Sequence, residues 1–383
     1  MLLIKNGYIK TMAGPDIPNG CVLIGDDGKI AAAAPAIDAP AGAQIIDAEG
    51  CLVTPGCVEA HCHIGLDNEG MGWEGQDYND IADPLTPQLR AIDSINPQDE
   101  AFGLALAGGV TSACTGPGSA NVVGGTFTAI KLAGKRVDKM IIKDPIAMKC
   151  AFGENPKRCY GQGSKKSPMT RMAVAALLRE LLFKTVRYRD DKLAGKDPAF
   201  DMKLEAMLPV IEGRIPLKCH AHRADDILTS IRIANEFGVD ITLDHCTDGA
   251  LIADELAAEG KPAFVGPTLG GKSKIELRGK SFTTPAVLQK AGVTVSIITD
   301  APVIPLQYLP MCAGLAVDAG LPEEEAWKAI TINSANSTGI GSRVGSLEAG
   351  KDGDVVIWTA DPMHDLAAAA YTTIVDGKIV YQK

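Results

Sequence analysis

The spacing of apolar and polar positions along this 383-residue chain changes period from segment to segment. From Pro216 onward one unit recurs: an amphipathic helix, a glycine, then a short apolar strand ending in a polar residue. Ile227, Ile231 and Ala234 share a helical face behind Asp225 and Asp226, which can cap the start, and Gly238 closes the helix before Ile241-Thr242-Leu243. A second copy ends at Gly260 before Ala263-Phe264-Val265, and a third runs from Pro285 to Gly292 and into Val293 to Ile298. Gly108-Gly109 before Val110-Thr111 repeats the punctuation earlier. Helices alternating with strands at this spacing predict a parallel sheet covered by helices. No G-x-G-x-x-G follows the first strand, which disfavours an open dinucleotide-binding sheet and favours a closed (β/α)8 TIM barrel.

The two ends of the chain follow a different pattern. Residues 2–9 and 373–380 place Asn-Gly and Asp-Gly between apolar runs, a strong hairpin signal. Gly25-Asp26-Asp27-Gly28 adds a turn, and Asp354 to Trp358 reads as a further strand. Both termini are expected to build one small β-sandwich domain, 1–56 with 344–383, beside a barrel over 57–343. Two independent edge hairpins would give the same pattern.

Composition narrows the class. At 46% hydrophobic and 22% charged the chain is globular, and its formal charge of −10 with no basic run argues against nucleic-acid or anionic-membrane partners. No apolar stretch approaches the roughly 20 residues that span a bilayer, and Met1 to Lys10 is too short and interrupted for a signal peptide. The reading is a soluble, cytoplasmic protein, compatible with a homo-oligomer. Its ten cysteines contain no C-x-x-C pair and are read as reduced. Cys62, Cys219 and Cys246 neighbour histidines, but adjacent strand residues face opposite ways, so they are expected to be plain buried thiols.

Five of the six histidines fall at three places, each after an apolar segment: His61 with His63, His220 with His222, and His245. Residues two apart on a strand share a face, so His61 and His63 can grip one ion, and imidazole suits zinc and similar metals. Asp300 ends the run Val293 to Ile298, and Ala301-Pro302 after it makes a poor helix start, which argues against a simple cap. In a barrel, active-site groups come from the carboxyl ends of several strands, where Asp300 would join the histidines.

His61-Cys62-His63 after Thr54-Pro55-Gly56, a histidine at each of two later strand ends and a final aspartate resemble the amidohydrolase superfamily, in its imidazolonepropionase-related branch. Thr331-Ile332-Asn333-Ser334-Ala335 and the run Gly345 to Asp354 look like the segment that returns such chains to their β-sandwich. The resemblance covers nearly the whole chain.

That resemblance implies one or two divalent ions, zinc first, among His61, His63, His220, His245 and Asp300, and hydrolysis of an amide or similar bond by a metal-activated hydroxide. Asp300 would act as base. His220 is preferred to His222 as ligand because it lies nearer the strand, leaving His222 to face substrate and to stand as alternative base. For the ligand from the fourth strand, Glu154 is favoured because it needs no modification, with a carboxylated Lys149 as the alternative. Gly124, Gly125, Arg158, Tyr160 and Arg223 are expected to meet substrate, the arginines suiting a carboxylate on a cyclic amide, dipeptide or N-acyl amino acid. Resembling deaminases carry a glutamate three residues after the fifth-strand histidine; that position is Arg223, which favours amide hydrolysis over deamination. A non-catalytic scaffold is the rival of another class, and it would keep a costly buried polar cluster without use.

Overall fold

The computed structural model describes all 383 residues and contains two eight-stranded sheets. The amino end supplies β1 (Leu2–Ile9), β2 (Ile17–Ile24), β3 (Ile30–Ala34), β4 (Gln44–Asp47) and β5 (Leu52–Pro55). At Gly56 the chain passes into the second sheet: β6 (Cys57–Cys62), β7 (Val110–Thr115), β8 (Val123–Lys131), β9 (Ile141–Ala151), β10 (Leu217–Ala221), β11 (Ile241–His245), β12 (Ala263–Val265) and β13 (Val295–Ile297). It returns to the first sheet as β14 (Val355–Trp358), β15 (Ala370–Val375) and β16 (Lys378–Gln382). A side chain at Gly56 would meet Thr111 at 2.1 Å, so only glycine fits this crossing.

Strands from the two termini pair directly, β14 running antiparallel to β5 with Val355 opposite Pro55. Their inward residues, among them Ile4, Val22, Val53, Val355 and Ile374, form one apolar core. Asp376-Gly377 makes the expected hairpin turn, both residues having positive φ. Asn6-Gly7 does not. It lies inside the continuous strand β1 as a bulge, where Asn6 adopts φ 57° and donates to Asp47 while Gly7 admits Val53 beneath it.

The second sheet runs β6 to β13 in sequence order and curls into a nearly closed barrel. Its ends meet where His63 N donates to Ala301 O at 2.8 Å and Glu59 accepts from Thr299 N at 2.8 Å and Thr299 Oγ1 at 2.6 Å. The all-parallel expectation needs correction at β8, which is antiparallel to both β7 and β9. Only residues 116–122 join β7 to β8, fewer than the dozen or so that a parallel crossover needs. The predicted helix–glycine–strand units are present, with Gly238 and Gly260 left-handed behind Ala224–Phe237 and Ala253–Glu259. Asp225 and Asp226 occupy the first helical turn instead of capping it, and Asp226 is buried in an ion pair with Arg171. No helix is long and apolar enough to cross a membrane, and all ten cysteines are free thiols.

Candidate active site

Alternation along β6 aims His61 into the barrel, and His63 follows just beyond its end. Lys149 on β9, Lys218 and His220 on β10 and Asp244 on β11 are likewise buried in the interior. On a regular strand His245 would face away from its neighbour Asp244. Instead its φ of 74° turns the backbone, so both residues face His61: the Asp244 carboxylate at 2.8 Å and the His245 ring with its centroid at 5.1 Å. Asp300 is also left-handed, φ 55°. Sparsely populated conformations at two strand ends are local strain held by the surrounding fold.

Two groups of ligand atoms result, His220 with His222 and His245, and His61 with His245 and Asp300, each within 4.8 Å. A cavity of about 490 Å³ opens over them, lined in part by His63, Asp67, Arg158, Lys274 and Asp300.

The outer nitrogens fix the chemistry of the inner ones. His61 Nδ1 lies 2.8 Å from Asp244, His63 Nδ1 2.7 Å from Gly116 O, and His245 Nδ1 2.7 Å from Gly266 O. Each partner only accepts, so Nδ1 carries the proton and Nε2 presents a lone pair. Ser119 and Thr247 hydroxyls, both at 2.8 Å, hold Nδ1 of His220 and His222. Burial pushes His61 and His222 down to about 4, and His220 and His245 well below the ordinary range, so the rings are neutral and ready to bind metal.

The lone pairs of His61 Nε2 and His63 Nε2 face Asp300 Oδ1 at 3.4 and 3.3 Å. Lys149 Nζ, 3.1 Å from His61 Nε2, already brings one positive charge to this group. His245 Nε2 is buried with no hydrogen-bond partner. Donor type, the ring orientations and the orphaned nitrogen, His245 Nε2, together fit a divalent cation.

The comparisons with known proteins agree. The amidohydrolase family pattern matches residues 52–380. The chain belongs to the amidohydrolase family. It is 30% identical over 374 residues to amidohydrolase tasK of Hapsidospora irregularis, covering 90% of this chain and 38% of that protein's length. An imidazolonepropionase of Acidiphilium cryptum is 26% identical over 400 residues, covering 96% of this chain and 94% of its own. The crystal structure of an amidohydrolase from Thermotoga maritima superposes over the full length of both chains with a TM-score of 0.96 at 41% identity. Amidohydrolases are generally metal-dependent.

Not every residue singled out in this amidohydrolase's sequence reaches the cluster. Lys149 Nζ lies 3.1 Å from His61 Nε2, and burial pushes its pKa down to about 8. Glu154 instead borders a separate surface cleft with Lys157 and Gln162. Gly124 and Gly125 lie in β8, where Gly125 gives the Leu89 carbonyl room to approach. Tyr160 is buried and donates to Asp83 O at 2.9 Å, holding a loop. Arg223 is paired with Asp225, whereas Arg158 lines the cavity and is in no ion pair. Cys62, Cys219 and Cys246 are buried outside both ligand groups.

Sequence reasoning missed Asp244, Lys274 and Glu276. Asp244 stands next to a chosen histidine, and its role depends on the backbone turn at His245, which no sequence pattern marks. Glu276 is buried in the loop after β12, with Oε1 3.9 Å from His222 Nε2, and no local pattern marked it.

Proposed function

We propose that this amidohydrolase cleaves a C–N amide bond of a small carboxylate-bearing substrate with the help of one or two divalent ions, zinc first. The observation that carries the reading is the convergence of His61 Nε2 and His63 Nε2 on Asp300 Oδ1, with His245 Nε2 unpartnered beside them. The residues proposed to hold metal are His61, His63, His220, His245 and Asp300, with Lys149 preferred to Glu154 because of its position. A bound divalent ion polarises a carbonyl and lowers the pKa of water toward neutrality.

The chain's own groups do the rest. Asp244, Gly116 O and Gly266 O keep the imidazoles in the ligand tautomer. Asp300 takes a proton from the attacking water at Oδ and returns it to the leaving nitrogen. Arg158 offers its unpaired guanidinium to the substrate carboxylate. Cyclic amides, dipeptides and N-acyl amino acids carry the required bond.

A second reading, deamination of an aminated heterocycle, is favoured by Glu276, a buried carboxyl group next to His222 that is able to carry a proton. A screen of zinc-loaded protein against the three amide classes and aminated heterocycles separates the two. Amine and carboxylate products support amide hydrolysis; free ammonia from a heterocycle, with no amide turnover, contradicts it.

A further inference from the structure

One wall of the cavity carries an arrangement that amide hydrolysis itself does not require. Lys274 lies in the loop after β12, and its side chain retains 20% exposure while lining the cavity with His220, His222, Arg158 and Asp300. Its Nζ donates to Asn155 Oδ1 at 2.8 Å and lies 3.6 Å from Glu276 Oε1. Glu276 is itself fixed: it is 1% exposed and accepts from Glu154 N at 2.9 Å.

An ammonium has three donors. One is directed at Asn155 Oδ1, while Glu276 Oε1 stands at ion-pair range, 3.6 Å, which leaves two donors available to the cavity. Lysine side chains are ordinarily free to wander in solvent, so holding one from two sides stores the ordering cost before any ligand arrives. With Arg158 nearby, this wall presents two cations against the one buried carboxylate of Glu276.

Position sets the kind of anion. From Lys274 Nζ to Glu276 Oε1 is 3.6 Å and from there to His222 Nε2 is 3.9 Å, so ammonium and imidazole are separated by less than the two contacts laid end to end. A carboxylate hydrogen-bonded to Lys274 at about 2.8 Å therefore sits only a few ångströms from a carbonyl reacting over the histidines. That upper limit leaves room for an acid group two or three bonds from the scissile bond, as in the α-carboxylate of an N-acyl amino acid or dipeptide.

We infer that Lys274 is a specificity-determining residue, positioned by Asn155 and Glu276 to receive a substrate carboxylate lying two or three bonds from the scissile C–N bond. The inference rests on the hydrolytic reading above and adds the place and spacing of the acid group.

The test uses zinc-loaded, full-length protein and a panel of N-acetyl amino acids and dipeptides, each paired with its α-carboxamide. The wild type should prefer the acid by about 100-fold in kcat/KM, chiefly through KM. Lys274→Met should lose about 10- to 100-fold toward the acids and little toward the amides, and Lys274→Arg should recover part of the preference. A lysine that merely neutralised Glu276 would lower both members of each pair alike. Equal treatment of acid and amide by the wild type overturns the inference even if no variant folds, as does an unchanged ratio in Lys274→Met. Failure of the wild type to hydrolyse any member removes the hydrolytic reading of this substrate class instead.

Discussion

Lys149 Nζ and His61 Nε2 face each other at 3.1 Å across the barrel interior, linking β9 to β6 at the level of the proposed metal centre. Lysine as an ammonium cannot ligate, but a carboxylate group added to Nζ would give it oxygen donors there. Lys149→Met should therefore weaken metal binding by about tenfold or more, whereas Glu154→Gln should leave metal content unchanged. Elemental analysis of the two purified variants checks this. The opposite pattern would return the role to Glu154.

Asp300 is assigned proton transfer as well as metal binding. Asp300→Asn keeps the shape of the side chain and removes its basicity, so kcat should fall by about 10²- to 10⁴-fold while the fold persists. Circular dichroism and steady-state kinetics on the same preparation check both halves. Near-normal kcat with metal retained would move the role of base to His222.

The positions that sequence reading found and missed differ for a physical reason. Histidines recurring after apolar runs expose their own chemistry, because few other roles explain three such clusters, and Asp300 was flagged by the poor helix start after it. Asp244 and Glu276 serve by tertiary position. The turn at His245 that lets Asp244 and His245 face the same way is a backbone event that strand periodicity does not encode. In the fold, the helix–glycine–strand units were legible because period and punctuation agree. The reversal of β8 was not, because it depends on the length of one loop. Asn6-Gly7 misled because a positive φ serves a bulge as well as a turn.

Asp244 sits between His61 Nδ1 at 2.8 Å and Lys218 Nζ at 3.4 Å, all three fully buried. Burial alone would raise its pKa, yet Lys218 and His61 hold the carboxyl far below the ordinary range. Asp244→Ala strands the Lys218 charge, and a loss of about 3–5 kcal/mol is expected on chemical unfolding. Asp244→Asn keeps an acceptor for His61. It should fold better and still bind metal about 10- to 100-fold more weakly, as measured by calorimetry.

Lys131 on β8 joins the barrel to the terminal sheet through Asp354 at 2.6 Å, Asp352 at 3.0 Å and Asp376 at 3.2 Å. Burial opposes its charge, but the three carboxylates together raise its pKa above 10.5. Because the folded pKa is the higher one, this stabilisation is complete below the unfolded value and fades as pH climbs through the folded one. Lys131→Met should cost about 3–5 kcal/mol at neutral pH by leaving Asp354 buried without its partner. Its stability should also fall less steeply than that of the wild type above pH 10.5, as denaturant melts across that range would record.

The central claim is that hydrolysis depends on metal gathered by His61 and His63 with Asp300. The most direct measurement titrates chelator-stripped protein with zinc, following amine release from the amide panel and bound metal by elemental analysis in the same samples. Turnover should be absent in the stripped protein and rise in proportion to occupancy, and the His61→Ala/His63→Ala double variant should show neither metal nor turnover. Full turnover by protein shown to contain no metal would contradict the account.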